Sequence, residues 1–175
     1  MSVKRLSSTA VLAAAYALTT LLLAPLSFGV VQCRIAEVLC LLPYFFPESV
    51  WGLFLGCAMA NLLTGNMMDF VIGSLATLLA GLAVAELGRR RSSAALACFM
   101  PVLFNGLMVG FVITLGYEGL SPLRHPLTYA LNSLSVAAGE ALVLYALGLP
   151  LLRALPRSRF FPLLGSFFGC TKEQL

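Results

Sequence analysis

Six apolar stretches, separated by short segments rich in Pro, Gly and Arg, constrain this chain more than any other feature. They lie at about residues 8–26, 31–42, 49–63, 67–87, 94–115 and 127–152. A helix that crosses a bilayer needs about 20 mostly apolar residues, and unpaired backbone groups are not tolerated against lipid. The pattern therefore predicts an all-α membrane protein in which residues 1–175 form a single domain of six transmembrane helices.

The composition excludes several classes of protein. Hydrophobic residues make up 60% of the chain and charged residues only 10%, with a mean hydropathy of +0.96. Soluble domains carry about 45–50% apolar and about 25% charged residues. A soluble enzyme, a nucleic-acid-binding domain and a disordered chain are therefore excluded, and the lipid bilayer is the expected surrounding.

The basic residues predict the orientation of the spans. Loops on the cytoplasmic side of a membrane carry an excess of Lys and Arg. With six spans, nine of the eleven basic residues share the side of both termini, which are therefore expected in the cytoplasm. These nine are Lys4, Arg5, Arg89, Arg90, Arg91, Arg153, Arg157, Arg159 and Lys172. The net charge of +4 thus indicates orientation and not a nucleic-acid partner.

Polar side chains inside the spans are the candidates for a ligand site, because a charge there costs a few kcal/mol and tends to face a cavity or a partner. In the second span, Arg34 and Glu37 are three residues apart and can pair on one helix face. This pair is interpreted either as structural or as the wall of a pocket near the outer surface, beside Gln32. Asn61 ends the third span, and Asp69 opens the fourth either as a helix cap or as a carboxylate facing a cavity.

Glu140 is the strongest single candidate. It lies near the middle of the sixth span, and neither this span nor the fifth contains a basic residue. A carboxyl group at that depth needs a hydrogen-bond donor or a cation, or it must be protonated. Asn105 of the fifth span and Asn132, on the same face of the sixth, are the nearest amides in this pattern. Either a ligand supplies the donors, or a protonated Glu140 bonds between helices.

Catalytic and metal-binding patterns are absent from the sequence. HExxH, GxSxG and P-loop motifs do not occur, and His125 is the only histidine. The five cysteines show no CxxC spacing, so neither a disulfide framework nor a metal site is expected. We therefore expect no enzyme, no metal and no cofactor. The outer loop at residues 116–126 is long enough to act as a lid over a pocket.

Small residues recur at four-residue spacing in two spans. In the third span, Gly52, Gly56 and Ala60 form a stripe that predicts close helix packing. The first span carries two overlapping small-residue pairs, which another helix could approach either within the protein or from a second protein. These are Ala10, Ala13, Ala14 and Ala17.

The segments around these residues, taken in order, resemble the QueT-type substrate-binding (S) components of energy-coupling factor (ECF) transporters. The matching segments are PLSFG at 25–29, QCRIAEVL at 32–39, GLFLGCAMAN at 52–61, DFVIGSLAT at 69–77, GEA at 139–141 and GLPL at 148–151. The resemblance covers nearly the whole chain, and residues 32–77 are its most specific part.

The resemblance implies a multi-pass subunit of the bacterial plasma membrane that captures a queuosine precursor, either queuine or 7-aminomethyl-7-deazaguanine. It also implies docking, through the alanine surface of the first span, onto a transmembrane coupling subunit driven by two ABC ATPases. A nucleotide-binding motif is absent from this sequence, which agrees with such a division of labour.

Roles for the polar residues follow from the chemistry of a 7-deazaguanine. A carboxylate can accept from the ring N–H and the exocyclic NH₂ together, and we expect Glu140 to do so. Asp69 or Glu37 would bind the ligand amine. The other expected contacts are the amides of Gln32, Asn61, Asn105 and Asn132, the guanidinium of Arg34 that orients Glu37, and the stacking rings of Phe28 and Tyr129.

Three other functions remain open at this stage. An S component for another vitamin, such as thiamine or riboflavin, would make less use of three intramembrane carboxylates. A small secondary transporter would carry a proton on Glu140 or Glu37. A helical membrane scaffold would use the polar residues only for structure and would bind no small molecule.

Overall fold

Helices account for the regular secondary structure in the part of the chain that the computed structural model describes, residues 3–24, 33–63, 65 and 67–169, and no strand occurs there. The helices are α1 (Val3–Leu22), α2 (Ile35–Tyr44), α3 (Ser49–Leu63), α4 (Asp69–Arg89), α5 (Ala94–Tyr117), α6 (Pro126–Arg157) and α7 (Phe161–Phe168). The predicted all-α class is confirmed. Helix α2 is wound as a 3₁₀ helix, and α4, α5 and α6 each contain a π-helical turn.

Four of these helices, α1, α4, α5 and α6, are long and apolar enough to cross a membrane. Helices α2 and α3 are apolar but have only 10 and 15 residues. At about 1.5 Å per residue, α3 extends about 22 Å, which is less than the roughly 30 Å hydrocarbon core of a bilayer. The membrane-protein class thus rests on four long helices, and the crossing of α2 and α3 stays a prediction.

Helices α1 and α3 run side by side in the same direction, and glycines bring their backbones together. A Cβ atom added at Gly56 would lie 2.7 Å from the carbonyl oxygen of Ala13 and 2.8 Å from Cβ of Tyr16. One added at Gly52 would lie 3.0 Å from Cβ of Leu12. Real Cβ atoms require more room than this, so the predicted packing role of the small-residue stripe in the third span is confirmed.

Helices α5 and α6 pack closely in opposite directions. A Cβ atom at Gly106 would lie 3.0 Å from Cβ of Ala137, and one at Gly110 would collide with Ser133. The same small-residue chemistry therefore operates at a second interface, which the sequence pattern did not single out. This interface holds the middle of α5 against the middle of α6, where two of the candidate site residues lie.

One end of the bundle collects the basic residues. The Arg5 guanidinium pairs with Glu48 at 3.2 Å, the Tyr44 hydroxyl donates to the carbonyl of Ser92, and Tyr145 donates to the carbonyl of Ala95 at 3.0 Å. These contacts bring together the start of α1, the α2–α3 and α4–α5 connections and the second half of α6. The described basic residues predicted for the cytoplasmic side belong to this basic end; Lys172 lies outside the described residues.

The segment that follows α6 forms α7, which covers the basic end. Phe168 is buried and stacks on Phe46 with ring centroids 5.2 Å apart, and Phe161 lies 5.5 Å from the same ring. Apolar packing therefore fills the basic end. The polar side chains that remain inside the bundle lie towards its middle and its opposite end.

Candidate functional site

Two charged residues at the start of α2 point into the bundle. Arg34 precedes the helix and exposes 1% of its surface, and Glu37 in the first turn exposes none. The residues that follow in α2 pack their apolar side chains against the core at Cys40 and Leu41. The short helix α2 therefore has its charged residues at its start and its buried apolar residues after them.

Asp69 is a buried carboxylate, with 1% of its surface exposed. Its Oδ1 pairs with Nη2 of Arg34 at 3.9 Å, and its Oδ2 accepts a hydrogen bond from the hydroxyl of Tyr117 at 3.1 Å. Met67 and Met68 before it are already helical, so Asp69 does not stand in the flanking position of a helix cap. The interpretation of Asp69 as a helix cap is therefore not supported, and its role as a carboxylate that faces a cavity stays a prediction.

Glu37 is bound from α1 rather than only from its own helix. The hydroxyl of Tyr16, itself fully buried, donates to Oε1 of Glu37 at 2.5 Å. Arg34, the predicted partner of Glu37, forms an ion pair with Asp69 on α4. The other oxygen of Glu37, Oε2, is buried without a hydrogen-bond partner among the described residues.

Glu140 and Asn105 meet between α6 and α5. The amide Nδ2 of Asn105 donates to Oε1 of Glu140 at 3.2 Å, and each residue exposes 1% of its surface. This contact corresponds to the structural alternative, in which Glu140 bonds between helices, and it leaves open whether a ligand supplies further donors. Within the described part of the chain, Oε2 of Glu140 and Oδ1 of Asn105 are buried with no hydrogen-bond partner. Both atoms can accept a hydrogen bond, and such groups are seldom left buried and unpaired.

Asn61 links α3 to α4 beside this cluster. Its Nδ2 donates to the carbonyl of Asp69 at 3.0 Å and approaches the sulfur of Cys57 at 3.4 Å. The hydroxyl of Thr77 lies 3.2 Å from the same sulfur. A Cβ atom at Gly73 would lie only 2.9 Å from Nδ2 of Asn61, so the absence of a side chain at Gly73 makes room for this amide.

Charge is not balanced within the cluster. Three carboxylates are buried, Glu37, Asp69 and Glu140, and Arg34 is the one buried cation among the described residues. Residues 25–32, which precede Arg34, contain no charged side chain. Burying an ion costs several kcal/mol even after relaxation. Four buried ionisable groups in an apolar bundle are therefore the candidates for a functional site.

Two predicted site residues lie at the rim of the bundle. Asn132 is half-buried and donates to the hydroxyl of Thr114 and to Oε2 of Glu118, both at 3.0 Å. The hydroxyl of Tyr129 donates to the carbonyl of Leu107 at 3.2 Å on an exposed surface, so its contacts do not bring it to the buried cluster. Two further predicted residues lie outside the described part of the chain: Phe28 and Gln32.

Sequence reasoning missed two tyrosines that belong to the site. Tyr16 was overlooked because the first span was interpreted through its alanines, although a hydroxyl in the middle of an apolar run signals a buried partner. Tyr117 falls within residues 116–126, which were interpreted as an outer loop, but the π-helical end of α5 directs its hydroxyl to Asp69. Cys57 and Thr77 gave no signal, since small polar side chains are common in apolar spans.

The alanine surface of α1 divides into two faces. Ala13 and Ala17 expose only 4% and 5% of their surface, and Ala13 lies against Gly56 of α3. Ala10 and Ala14 are exposed. The internal alternative therefore applies to one pair, and only the other pair remains available to a second protein.

Comparison with known proteins identifies a family. A protein-family model described as QueT transporter matches residues 6–157. The match begins within α1, extends to the end of α6 and includes each residue of the buried cluster. No curated protein and no solved structure matches the chain.

Proposed function

We propose, from the premise that the chain belongs to the QueT transporter family, that it is the substrate-binding S component of an ATP-driven ECF importer for a queuosine precursor. The family is one of transporters, so membership assigns transport through a membrane rather than catalysis. The observation that carries the finer proposal is the buried cluster of three carboxylates and one arginine with unpartnered acceptor atoms.

The acceptor atoms suit the donor-rich edge of a 7-deazaguanine. Oε2 of Glu140 and Oδ1 of Asn105 are buried acceptors on adjacent side chains. A ring N–H and an exocyclic NH₂ can donate to such a pair, as base edges do when proteins read them. In this proposal Glu140 and Asn105 bind the guanine-like edge, and Gln32, Asn61 and Asn132 supply further amide contacts.

The amine of queuine or of the 7-aminomethyl compound would bind at Glu37. Asp69 already has Arg34 as its ionic partner, whereas Oε2 of Glu37 has no partner among the described residues. Of the two carboxylates considered for this role, Glu37 is therefore the better supported. Phe28 and Tyr129 remain the proposed stacking partners of the ring.

In the proposed membrane arrangement all six helices α1 to α6 cross the bacterial plasma membrane, with α2 and α3 as its short elements. The basic end faces the cytoplasm, as an excess of Lys and Arg favours, so the charged start of α2 opens outwards. The exposed alanines Ala10 and Ala14 of α1 would receive a helix of the transmembrane coupling subunit, which two ABC ATPases drive.

The test is thermal unfolding of the purified protein with queuine, 7-aminomethyl-7-deazaguanine, guanine, thiamine and riboflavin. A ligand that binds the folded state at 100 times its Kd stabilises it by about 2.7 kcal/mol, and we expect this only with the deazaguanines. Glu140→Gln should lose most of the response. Glu48→Gln is the matched control, because Glu48 pairs with Arg5 at the basic end.

Two results would contradict the proposal. A response to a vitamin but not to either deazaguanine would assign another ligand to the same fold. Uptake that stops with a protonophore but continues with the ATPases disabled would indicate a secondary transporter instead.

A further inference from the structure

Tyr16 brings a hydroxyl group from α1 to a carboxyl group of the buried cluster. Its side chain exposes no surface, and its hydroxyl donates to Oε1 of Glu37 at 2.5 Å. The ring belongs to an apolar cluster that includes Leu12, Leu53 and Cys57. A phenylalanine ring would fill the same space, so packing alone does not account for the hydroxyl. Its contact with Glu37 does, because a buried tyrosine hydroxyl needs a polar partner.

The hydroxyl of Tyr16 is a rigid donor. The phenol oxygen lies on the line of the Cβ–Cγ bond, so rotation of the ring does not move it. Its position depends on χ1, which is confined to a few staggered values, and on the backbone of α1. A Cβ atom at Gly56 would lie 2.8 Å from Cβ of Tyr16 and 2.7 Å from the carbonyl oxygen of Ala13. The close approach of α1 and α3 therefore fixes the point from which the hydroxyl reaches Glu37.

Glu37 is the flexible partner in this contact. A glutamate side chain has three torsions and loses much rotamer freedom when it is held in one orientation. Tyr16 binds one of its oxygens, Oε1. The other oxygen, Oε2, is buried and has no hydrogen-bond partner among the described residues. The tyrosine thus leaves Glu37 with one oxygen occupied and one oxygen available to a further donor.

We propose that Tyr16 is a positioning residue, which holds Glu37 in the orientation that presents Oε2 to the ammonium group of the ligand. This inference rests on the proposed function, in which Glu37 binds the amine of a 7-deazaguanine. Tyr16 acts through Glu37, because it removes before binding the side-chain freedom that the ligand would otherwise have to remove. It therefore determines the selectivity for the charged side chain of the ligand and not the affinity for its ring.

Two ligands of equal size separate the amine from the ring. An alkylammonium group has a pKa near 10, so 7-aminomethyl-7-deazaguanine carries a positive charge at neutral pH. In 7-ethyl-7-deazaguanine a methyl group replaces the ammonium, and the ring edge is the same. Isothermal titration calorimetry on the purified full-length protein gives both Kd values, and their ratio measures selectivity for the amine. In the parent protein we expect the aminomethyl compound to bind at least roughly tenfold more tightly.

Tyr16→Phe should reduce this preference about fivefold, which corresponds to about 1 kcal/mol. The Kd of the 7-ethyl compound should stay nearly unchanged, whereas a purely structural role of Tyr16 would weaken both ligands. In a Glu37→Gln background, Tyr16→Phe should change the preference no further, because residues that act through one contact are not additive. Tyr145→Phe is the matched control, since it removes a hydroxyl that donates to the carbonyl of Ala95 at 3.0 Å, and it should leave the preference unchanged.

Gly56→Ala displaces Tyr16 without removing any polar group of the site. Its added Cβ would meet Cβ of Tyr16 at 2.8 Å, so α1 must shift and the hydroxyl shifts with it. We expect a lower preference for the aminomethyl compound, with the affinity for the 7-ethyl compound retained. Gly81→Ala is the control, because its Cβ would lie in ordinary contact with Val50 at 3.5 Å. This pair decides the question if Tyr16→Phe does not fold.

The outcomes separate this inference from the function on which it rests. If Tyr16→Phe keeps the preference of the parent, or weakens both ligands equally, Tyr16 does not position Glu37 and the proposed function stands. If the parent binds both ligands equally, Glu37 does not bind the amine and the inference is wrong, although the contacts proposed for the guanine-like edge remain. If neither ligand binds, the proposed function is wrong and the inference with it.

Discussion

Replacing Gly56 by alanine should destabilise the bundle. The same replacement at Gly52 and at Gly81 provides the comparison. The added Cβ at Gly56 would lie 2.7 Å from the carbonyl oxygen of Ala13 and 2.8 Å from Cβ of Tyr16. At Gly52 the nearest atoms are 3.0 Å away, and at Gly81 they are 3.5 Å away, in ordinary contact with Val50. The three glycines lie inside helices α3 and α4, so the substitutions differ mainly in the space that each Cβ finds.

The magnitude follows from two opposing terms. Alanine in a helix interior is favoured over glycine by about 0.5–1 kcal/mol. Overpacking a close interface costs about 1–3 kcal/mol, and at Gly56 the obstructing atoms belong to backbone and Cβ, which move only if α1 moves. We therefore expect Gly56→Ala to lose about 1–2 kcal/mol, Gly52→Ala to change little, and Gly81→Ala to gain about 0.5 kcal/mol.

Thermal unfolding of the three variants and the parent in one detergent measures this order. For a chain of this size, about 1 kcal/mol corresponds to roughly 2–4 °C in Tm. If Gly56→Ala unfolds at the same temperature as Gly81→Ala, the close approach of α1 and α3 does not exist as described. A reversed order would refute the reasoning in the same way.

Three further substitutions test the site and one helix end. Arg34→Met should destabilise the protein by about 3–5 kcal/mol in thermal unfolding, because it leaves the buried Asp69 without its ionic partner; an unchanged Tm would mean that this pair is not buried. Tyr117→Phe removes one hydrogen bond to Asp69, so ligand affinity should fall several-fold with the fold intact, about 1 kcal/mol; full affinity would place Tyr117 outside the site. Ser93→Ala removes the side-chain cap of α5 and should cost about 1 kcal/mol of unfolding free energy, whereas no loss would show that the cap is replaceable.

The periodic alternation of apolar runs and breakers was sufficient to predict most helix positions. The third span was predicted at residues 49–63, which are the bounds of α3. The first was placed too late, because α1 begins at Val3 and includes charged residues in its first turn. Helix ends depend on local capping and on neighbours, whereas the apolar middle of a helix is determined by its solvent.

The candidate site was predictable in its residues but not in its pairings. Glu140 and Asn105 stood out because polar groups are costly in an apolar span, and the structure brings them within 3.2 Å. The sequence pattern paired Arg34 with Glu37, three residues away, since spacing on one helix is the only geometry it contains. The contact to Asp69 crosses from the start of α2 to α4.

By itself, the sequence determined the class of the protein, its helices and the residues that lipid would not accept, because each of these depends on local composition. Only the tertiary structure decided which buried charge meets which. Tyr16 reaches Glu37 across 21 positions, and Tyr117 reaches Asp69 across 48. Each pair joins side chains on two different helices, and local patterns carry no information about which helices become neighbours.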